Sequence, residues 1–331
     1  MKYKASDKRY DNRMNYVPCG KSGLQLPLIS LGLWHNFGEF DDFDNATEMI
    51  HYAFDNGITH FDLANGYGPG PGAAENTFGK ILKNGFSAYR DEMVIATKAG
   101  YKMWEGPYQD GGSRKYLMSS IDQSLKRMGL DYVDIFYSHR FDPFTPIEET
   151  MQALSDIVKQ GKALYVGISN YPVEETRKAL WLLSENKTPC LIYQGKYNMF
   201  VKEAEQGLFD VLNESGAGYI AFSPLAQGLL SDKYLKGIPK NSRAANPHGF
   251  LQKNDVTEEI VAKAIKLNDI AKQRGQTLSE MAISWVLSNK SVTSALVGVS
   301  SVKQLKSNIK AIDNIQFSNE ERWLINEIIY P

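Results

Sequence analysis

Cysteine is scarce in this chain of 331 residues, with only Cys19 and Cys190 present. They form no CxxC pair and no cluster with metal-ligand spacing, so neither dithiol redox chemistry nor a metal centre is expected. The plain reading is two reduced thiols in a cytoplasmic protein. No apolar run approaches the roughly 18 residues of a membrane-spanning helix. The first residues, MKYKASDKRYDNRMNY, lack the apolar core of a secretory signal. Charge of one sign is missing too: the formal net charge is −1, which excludes a global field for nucleic acid or a lipid surface. No linker, low-complexity segment or short repeat interrupts the chain. What remains is a soluble composition, 43% hydrophobic and 23% charged, with apolar material for a large core. The length would suit two ordinary domains, but α/β barrels run this long as one.

The segment from Tyr16 to Leu26 reads as a hairpin with its turn at Gly20 to Gly23. After it, strand-like and helix-like segments alternate. Eight strands are expected at 28–33, 59–63, 93–98, 133–138, 163–169, 190–194, 218–223 and 294–299. Amphipathic stretches such as NATEMIHYAFDNG, SRKYLMSSIDQSLKRMG and IEETMQALSDIVKQG lie between them and end in Gly, the usual residue just past a helix. Eight such units close a (β/α)8 TIM barrel, expected here as one domain over 1–331. Two segments exceed the repeat: a long Gly/Pro-containing loop at 224–256 and a C-terminal helix at 317–330 capped by Ser318. Loops that long inside a compact domain are usually functional.

Four ionisable residues, Asp62, Tyr67, Lys98 and His139, fall in order at or just beyond the ends of apolar runs. The C-terminal ends of barrel strands are where such folds keep their chemistry. Taken singly each has an ordinary explanation: a loop anchor, a solvated lysine, a structural His or Tyr. Taken together they suit reduction of a carbonyl, which needs a proton donor for the developing alkoxide. Tyr holds its proton at neutral pH, with an unperturbed pKa of about 10. A nearby Lys ammonium is expected to lower that value, with Asp62 holding the ammonium in place. His139 is expected to orient and polarise the carbonyl.

The run from Gly66 to Gly72 follows a strand and precedes a helix, yet it makes a poor phosphate cradle. Pro69 and Pro71 remove amide donors, and the loop carries Tyr67. A second anion-site candidate follows the eighth strand. Ser300 and Ser301 open a helix that holds Lys303, Gln304 and Asn308, which suits either a phosphate group or an ordinary Ser cap.

The strings FDLANGYGPGPGAAE, ATKAG, DYVDIFYSHR, GISN, YQGKYN, FSPLAQGLLSDKY and VGVSSVKQLKSN cover essentially the whole chain, and on them it resembles the aldo-keto reductase superfamily. The resemblance implies a catalytic tetrad of Asp62, Tyr67, Lys98 and His139, with Tyr67 as the acid, and NADPH as cofactor. It places Ser169, Asn170 and Gln194 on the nicotinamide carboxamide, with Phe222 stacked on the ring and Trp34 and Asp62 nearby. Ser223, Pro224, Leu225, Gln227 and Gly228 would meet the pyrophosphate. Lys233, Ser242, Arg243, Gly298, Ser300, Gln304 and Asn308 would surround the adenosine end, with the long loop as a belt over the cofactor. Gln304 stands where many relatives carry an Arg that grips the 2′-phosphate; Arg243 and Lys303 are the candidates to replace its charge. Phe222 stands where relatives often have Tyr or Trp.

The expected substrate pocket is lined by Trp34, Tyr67, Trp104, His139 and Arg140. Arg140 suits either a phosphorylated or acidic aldehyde, or a loop salt bridge with Asp142 or another nearby carboxylate. By resemblance the substrates are small aldehydes such as glyceraldehyde 3-phosphate or methylglyoxal, and relatives are often homo-oligomers, tetramers or larger, with no patch of this sequence marking an interface. Two other classes compete. A Schiff-base aldolase would need a Lys free to attack, which Asp62 works against. An NADPH-binding redox-sensing subunit of a membrane partner is the other, although nothing near the N-terminus looks like a channel-gating peptide.

Overall fold

A computed structural model of the protein describes residues 3–68, 70–240, 242–245 and 251–330; Pro69 and part of the 224–256 loop lie outside them. The expected hairpin forms from β1 (Tyr16–Pro18) and β2 (Gln25–Pro27), with Val17 opposite Leu26. The eight expected strands all appear, as β3 (Ile29–Gly32), β4 (His60–Asp62), β5 (Val94–Ala99), β6 (Val133–Ser138), β7 (Ala163–Ser169), β8 (Ile192–Lys196), β9 (Gly218–Phe222) and β10 (Ser294–Val297). They pair in parallel and in sequence order, and β10 closes on β3. The chain is therefore a (β/α)8 barrel.

Period-two alternation decides what each strand presents to the inside. Val94, Ala96, Ile135, Tyr137, Ile192, Ile220 and Leu296 form one buried cluster with Leu26 and Cys19 of the hairpin. The hairpin sits under the start of β9: Lys21 N–H donates to Gly216 O at 2.8 Å, and a Cβ on Gly218 would lie 2.6 Å from Cys19 Sγ. It therefore closes the end of the barrel opposite the mouth. The intervening strand residues pack outward on the helices, as Phe61 does on Phe78 of α2 with ring centroids 5.5 Å apart.

Those helices are α1 (Phe43–Asp55), α2 (Ala73–Lys83), α3 (Arg114–Met128), α4 (Ile147–Lys159), α5 (Val173–Glu185) and α6 (Leu208–Ser215). After β9 come α7 (Glu258–Gln273) and α8 (Leu278–Leu287), then α9 (Val302–Lys310) and α10 (Asn319–Ile329). Gly129 ends α3 at φ 68°, a conformation that glycine adopts without strain. Ser318 caps α10 as expected, in a reciprocal capping box with Glu321.

One expectation needs correction, and one segment gains detail. The described residues of the 224–256 loop carry short 3-10 turns at Ala226–Gly228, Asp232–Tyr234, Arg243–Ala245 and Lys253–Asp255. There are also three additions to the repeat, not two, because α7 and α8 both lie between β9 and β10. Seven of the ten α8 residues from Leu278 to Leu287 are apolar, and all of the ten but Ser279 are buried, Glu280 and Ser284 included. It is thus the barrel-layer helix, and the more amphipathic α7 covers it.

A polar layer crosses the barrel interior. His60 Nδ1 shares a 2.9 Å hydrogen bond with Ser30 Oγ, which in turn lies 2.7 Å from Ser294 Oγ. Burial pushes the fully enclosed His60 imidazole down to about 4. Unfolding restores its ordinary value near 6.5, so the unfolded chain binds the extra proton between those values. This contribution to stability is present above about pH 6.5 and lost as pH falls toward 4, about 2 kcal/mol by about pH 4.5. Urea titrations at both pH values should show His60→Gln losing less stability on acidification than wild type, by about that amount. Equal losses would remove His60 as the source.

Candidate active site

The expected catalytic residues converge at the barrel mouth. Asp62 is the last residue of β4 and Lys98 the penultimate residue of β5, both fully buried. Lys98 Nζ donates to Asp62 Oδ2 at 2.5 Å, to Leu63 O at 2.7 Å and to Tyr67 Oη at 3.4 Å. The other Asp62 oxygen accepts from Gln194 Nε2 at 2.9 Å. His139, just beyond β6, presents its ring edge-on to Tyr67 at 5.7 Å. Trp34 stacks on the Tyr67 ring with centroids 5.8 Å apart.

The loop that carries Tyr67 is held by its own backbone and by a buried amide. Tyr67 N–H donates to Ala64 O, and Ala74 N–H returns to Tyr67 O. Gly68 sits at φ 87°, where an added Cβ would lie 2.9 Å from Ala74 N, so neither its backbone conformation nor its surroundings admit a side chain. Asn65 N–H donates to Lys98 O, and its side chain donates to Tyr116 Oη and Ser120 Oγ. Tyr116 Oη donates on to Tyr101 O. Tyr101 meets the His139 ring edge-on at 4.8 Å. The sequence reading named neither Asn65 nor Tyr101; their nearness to Tyr67 and Lys98 in the chain was the available signal.

Burial dominates the electrostatics. It pushes the Tyr67 phenol well above its ordinary value, and the Asp62 carboxylate adds to that. This reverses the expected lowering by Lys98. The Lys98 charge is compensated by Asp62 at 2.5 Å, while the phenol is 3.4 Å away. Tyr67 therefore stays protonated at neutral pH. Burial also lowers Lys98, against the pull of Asp62 and Glu75. The His139 imidazole is held well below 6.5 by burial and then by Lys98 and Arg140, so it is neutral and has one N–H to donate.

Two residues stand at the pocket rim, and Arg140 takes the loop salt bridge that was one of its two expected roles. Arg140 pairs with Asp110 at 3.3 Å, not Asp142, donates to Gly100 O at 2.9 Å and lies over the Tyr101 ring. Asp142 instead accepts from Gly112 N–H and Thr145 Oγ1, and feels the Arg140 charge without bonding to it. Trp104 is half-buried against Tyr116, with centroids 5.2 Å apart, and has no ring contact with Tyr67 or His139.

The residues that resemblance assigned to a cofactor follow the mouth around β7 to β10. Ser169, the last residue of β7, is the register partner of Gln194 in β8, and both are buried. Asn170, at φ 55°, donates from Nδ2 to Ser169 Oγ and His139 O. Phe222 ends β9, and the chain then turns through Ser223, Pro224 and Leu225 to Gln227 and Gly228, with positive φ at Ser223, Ala226, Gln227 and Gly228. Lys233 is exposed on the next turn. Ser242 Oγ is buried with no hydrogen-bond partner. Beside it the half-buried Arg243 has no carboxylate partner within 4.0 Å among the described residues, and its charge is felt by His35. Gly298 and Ser300 are exposed after β10, and Asn308 is buried. Ser301 caps α9, and Gln304 Oε1 accepts from Ser300 N–H at 3.0 Å and from Ser300 Oγ. No group of three or more His, Cys, Asp and Glu that could hold a metal occurs among the described residues. None of the described helices is long and apolar enough to cross a membrane.

The model of the Aldo/keto reductase family matches residues 28–329 of this chain, a stretch that holds the whole closed barrel. The chain belongs to that family and is an oxidoreductase. It is 54% identical over 333 residues to an L-glyceraldehyde 3-phosphate reductase of Escherichia coli O157:H7, covering 99% of this chain and 96% of the relative. The K12 strain's protein of that name is 53% identical over the same shares. A probable voltage-gated potassium channel subunit beta of Arabidopsis thaliana is 35% identical, over 91% of this chain and 92% of its own.

Proposed function

We propose that the protein reduces small aldehydes to primary alcohols with NADPH, the substrates being glyceraldehyde 3-phosphate or aldehydes like methylglyoxal. The observation that carries this reading is the Lys98 ammonium reaching both Asp62 and Tyr67 at the barrel mouth. Bound at the mouth, the reduced nicotinamide supplies a hydride. Tyr67 gives its proton to the carbonyl oxygen, and the phenolate left behind faces Lys98. Neutral His139 donates to the same oxygen and orients it. Asp62 keeps the ammonium in place, and Gln194 holds the second oxygen of Asp62.

The donor set suits an anionic dinucleotide. Ser242 has an unused buried hydroxyl, Arg243 brings a positive charge without a carboxylate on it, and the left-handed run from Ser223 to Gly228 turns the backbone tightly. Ser169, Asn170 and Gln194 would take the carboxamide, with Phe222 and Trp34 beside the ring. Lys233, Ser300, Gln304 and Asn308 would meet the adenosine end. Because Gln304 already caps Ser300 N–H, the 2′-phosphate is assigned to Arg243 and Lys303. Arg243→Ala is accordingly expected to weaken NADPH binding about ten- to a hundredfold, as loss of a charged hydrogen bond does. Fluorescence titration reads this, and an unchanged dissociation constant would reassign the charge.

The reading itself is tested by titrating protein fluorescence with NADPH, then following nicotinamide absorbance on adding glyceraldehyde 3-phosphate or methylglyoxal. Binding followed by aldehyde-dependent oxidation is expected. Binding without turnover of either aldehyde would instead favour a cofactor-sensing regulatory subunit, a reading compatible with the more distant similarity to a probable channel subunit.

A further inference from the structure

Tyr137 lies beside Lys98 on the neighbouring strand and takes no part in the function proposed above. It is fully buried in β6 and is the register partner of Lys98 in β5. Alternation points it into the barrel with Val94, Ala96 and Ile135. Its other register partner is Gly167 in β7, and an added Cβ there would lie 2.5 Å from Cδ1 and Cε1 of the tyrosine ring. Any larger residue at 167 would displace the ring. Lys98 Nζ lies 5.5 Å from the Tyr137 ring centroid and 4.8 Å from that of Tyr67. The ammonium thus has a carboxylate on one side and a tyrosine ring on each of two others. Tyr137 Oη lies near Gln194 but makes no hydrogen bond of normal geometry, so the ring, rather than the hydroxyl, makes the contact.

We propose that Tyr137 is a positioning residue of the site, its ring holding the Lys98 ammonium beneath Tyr67 and favouring its protonated form. The assignment rests on the role given above to Lys98. An aromatic face attracts a cation through its quadrupole, and the attraction grows when water is excluded, as it is around fully buried Lys98. Without the ring, the ammonium would keep Asp62 and Leu63 O but lose one wall of its site. The titratable groups that face Lys98 are Asp62 and His60 from β4, Tyr67 from the following loop, Glu75 from α2, and Tyr137 and His139 from β6. Only Tyr137 is changed in the test.

The test reads Lys98 directly, in the cofactor-free protein. Lysine labelled with 13C at Cε gives a resonance for Lys98, assigned by its loss in Lys98→Met, whose shift against pH gives the ammonium midpoint. Tyr137→Phe keeps the ring and should leave the midpoint unchanged. Tyr137→Leu, and 3,4,5-trifluorophenylalanine at 137, should lower it by about one pH unit. The trifluoro ring has nearly the shape of phenylalanine but a depleted face, so it decides the matter if the leucine variant does not fold. The alkaline limb of kcat/KM for aldehyde reduction should move with the midpoint, while NADPH binding stays within about twofold. A trifluoro midpoint equal to that of Tyr137→Phe overturns the proposal, as does a Lys98 that stays protonated to the limit of stable pH in every variant. If wild type turns over no aldehyde, the reductase reading fails, and the Lys98 midpoints still decide the role of Tyr137.

Discussion

Tyr67→Phe is expected to lower kcat by about 10² to 10⁴ while leaving NADPH binding within about twofold, because only proton donation is lost. The ring that Trp34 stacks on remains, so the pocket wall is preserved. The phenol is held well above its ordinary value by burial and Asp62, and it therefore keeps its proton throughout the neutral range. It releases the proton only when the developing alkoxide competes for it and Lys98, 3.4 Å away, stabilises the phenolate. Single-turnover absorbance measurements at saturating NADPH separate this from a binding defect. A variant within about threefold of wild type would show that another group, His139 or water, delivers the proton.

Asp62→Asn is expected to destabilise the fold by about 3–5 kcal/mol, besides abolishing turnover. Asp62 and Lys98 are both fully buried, so removing the carboxylate leaves an ammonium out of water with only neutral acceptors. An exposed pair such as Lys102–Glu105 sits in high dielectric and contributes about 0–1 kcal/mol at most. Adding Lys98→Met to Asp62→Asn should recover much of the loss, since no charge then remains buried alone. Urea denaturation of the single and double variants measures both effects. A single variant within about 1 kcal/mol of wild type would mean that water reaches the pair or that Lys98 sheds its proton at little cost.

The strands were legible because each is a short apolar run bounded by turn residues, and eight alternations with helices leave few parallel arrangements. The order of strands around the barrel follows from right-handed, nearest-neighbour connections, so no long-range information was needed. Less legible was α8, buried on nearly every face and so without the polar stripe that marks a surface helix. That Asp62, Tyr67, Lys98 and His139 would meet was legible because all four fall at or just beyond the ends of apolar runs. Which carboxylate Arg140 would meet was not, since Asp110 and Gly100 reach it from a different loop.

By itself, then, the sequence determined the barrel, the hairpin beneath it and which ionisable residues arrive at the mouth. Period and turn chemistry are local, and they act over a few residues at a time. Only the tertiary structure decided how those residues are paired. Gln194 holds Asp62 across 132 positions of the chain, Gly167 leaves room for the Tyr137 ring, and burial raises the Tyr67 phenol that its neighbour was expected to lower. Each of these depends on closing the barrel, which brings distant strands within a few ångströms and excludes the water that would otherwise screen their charges.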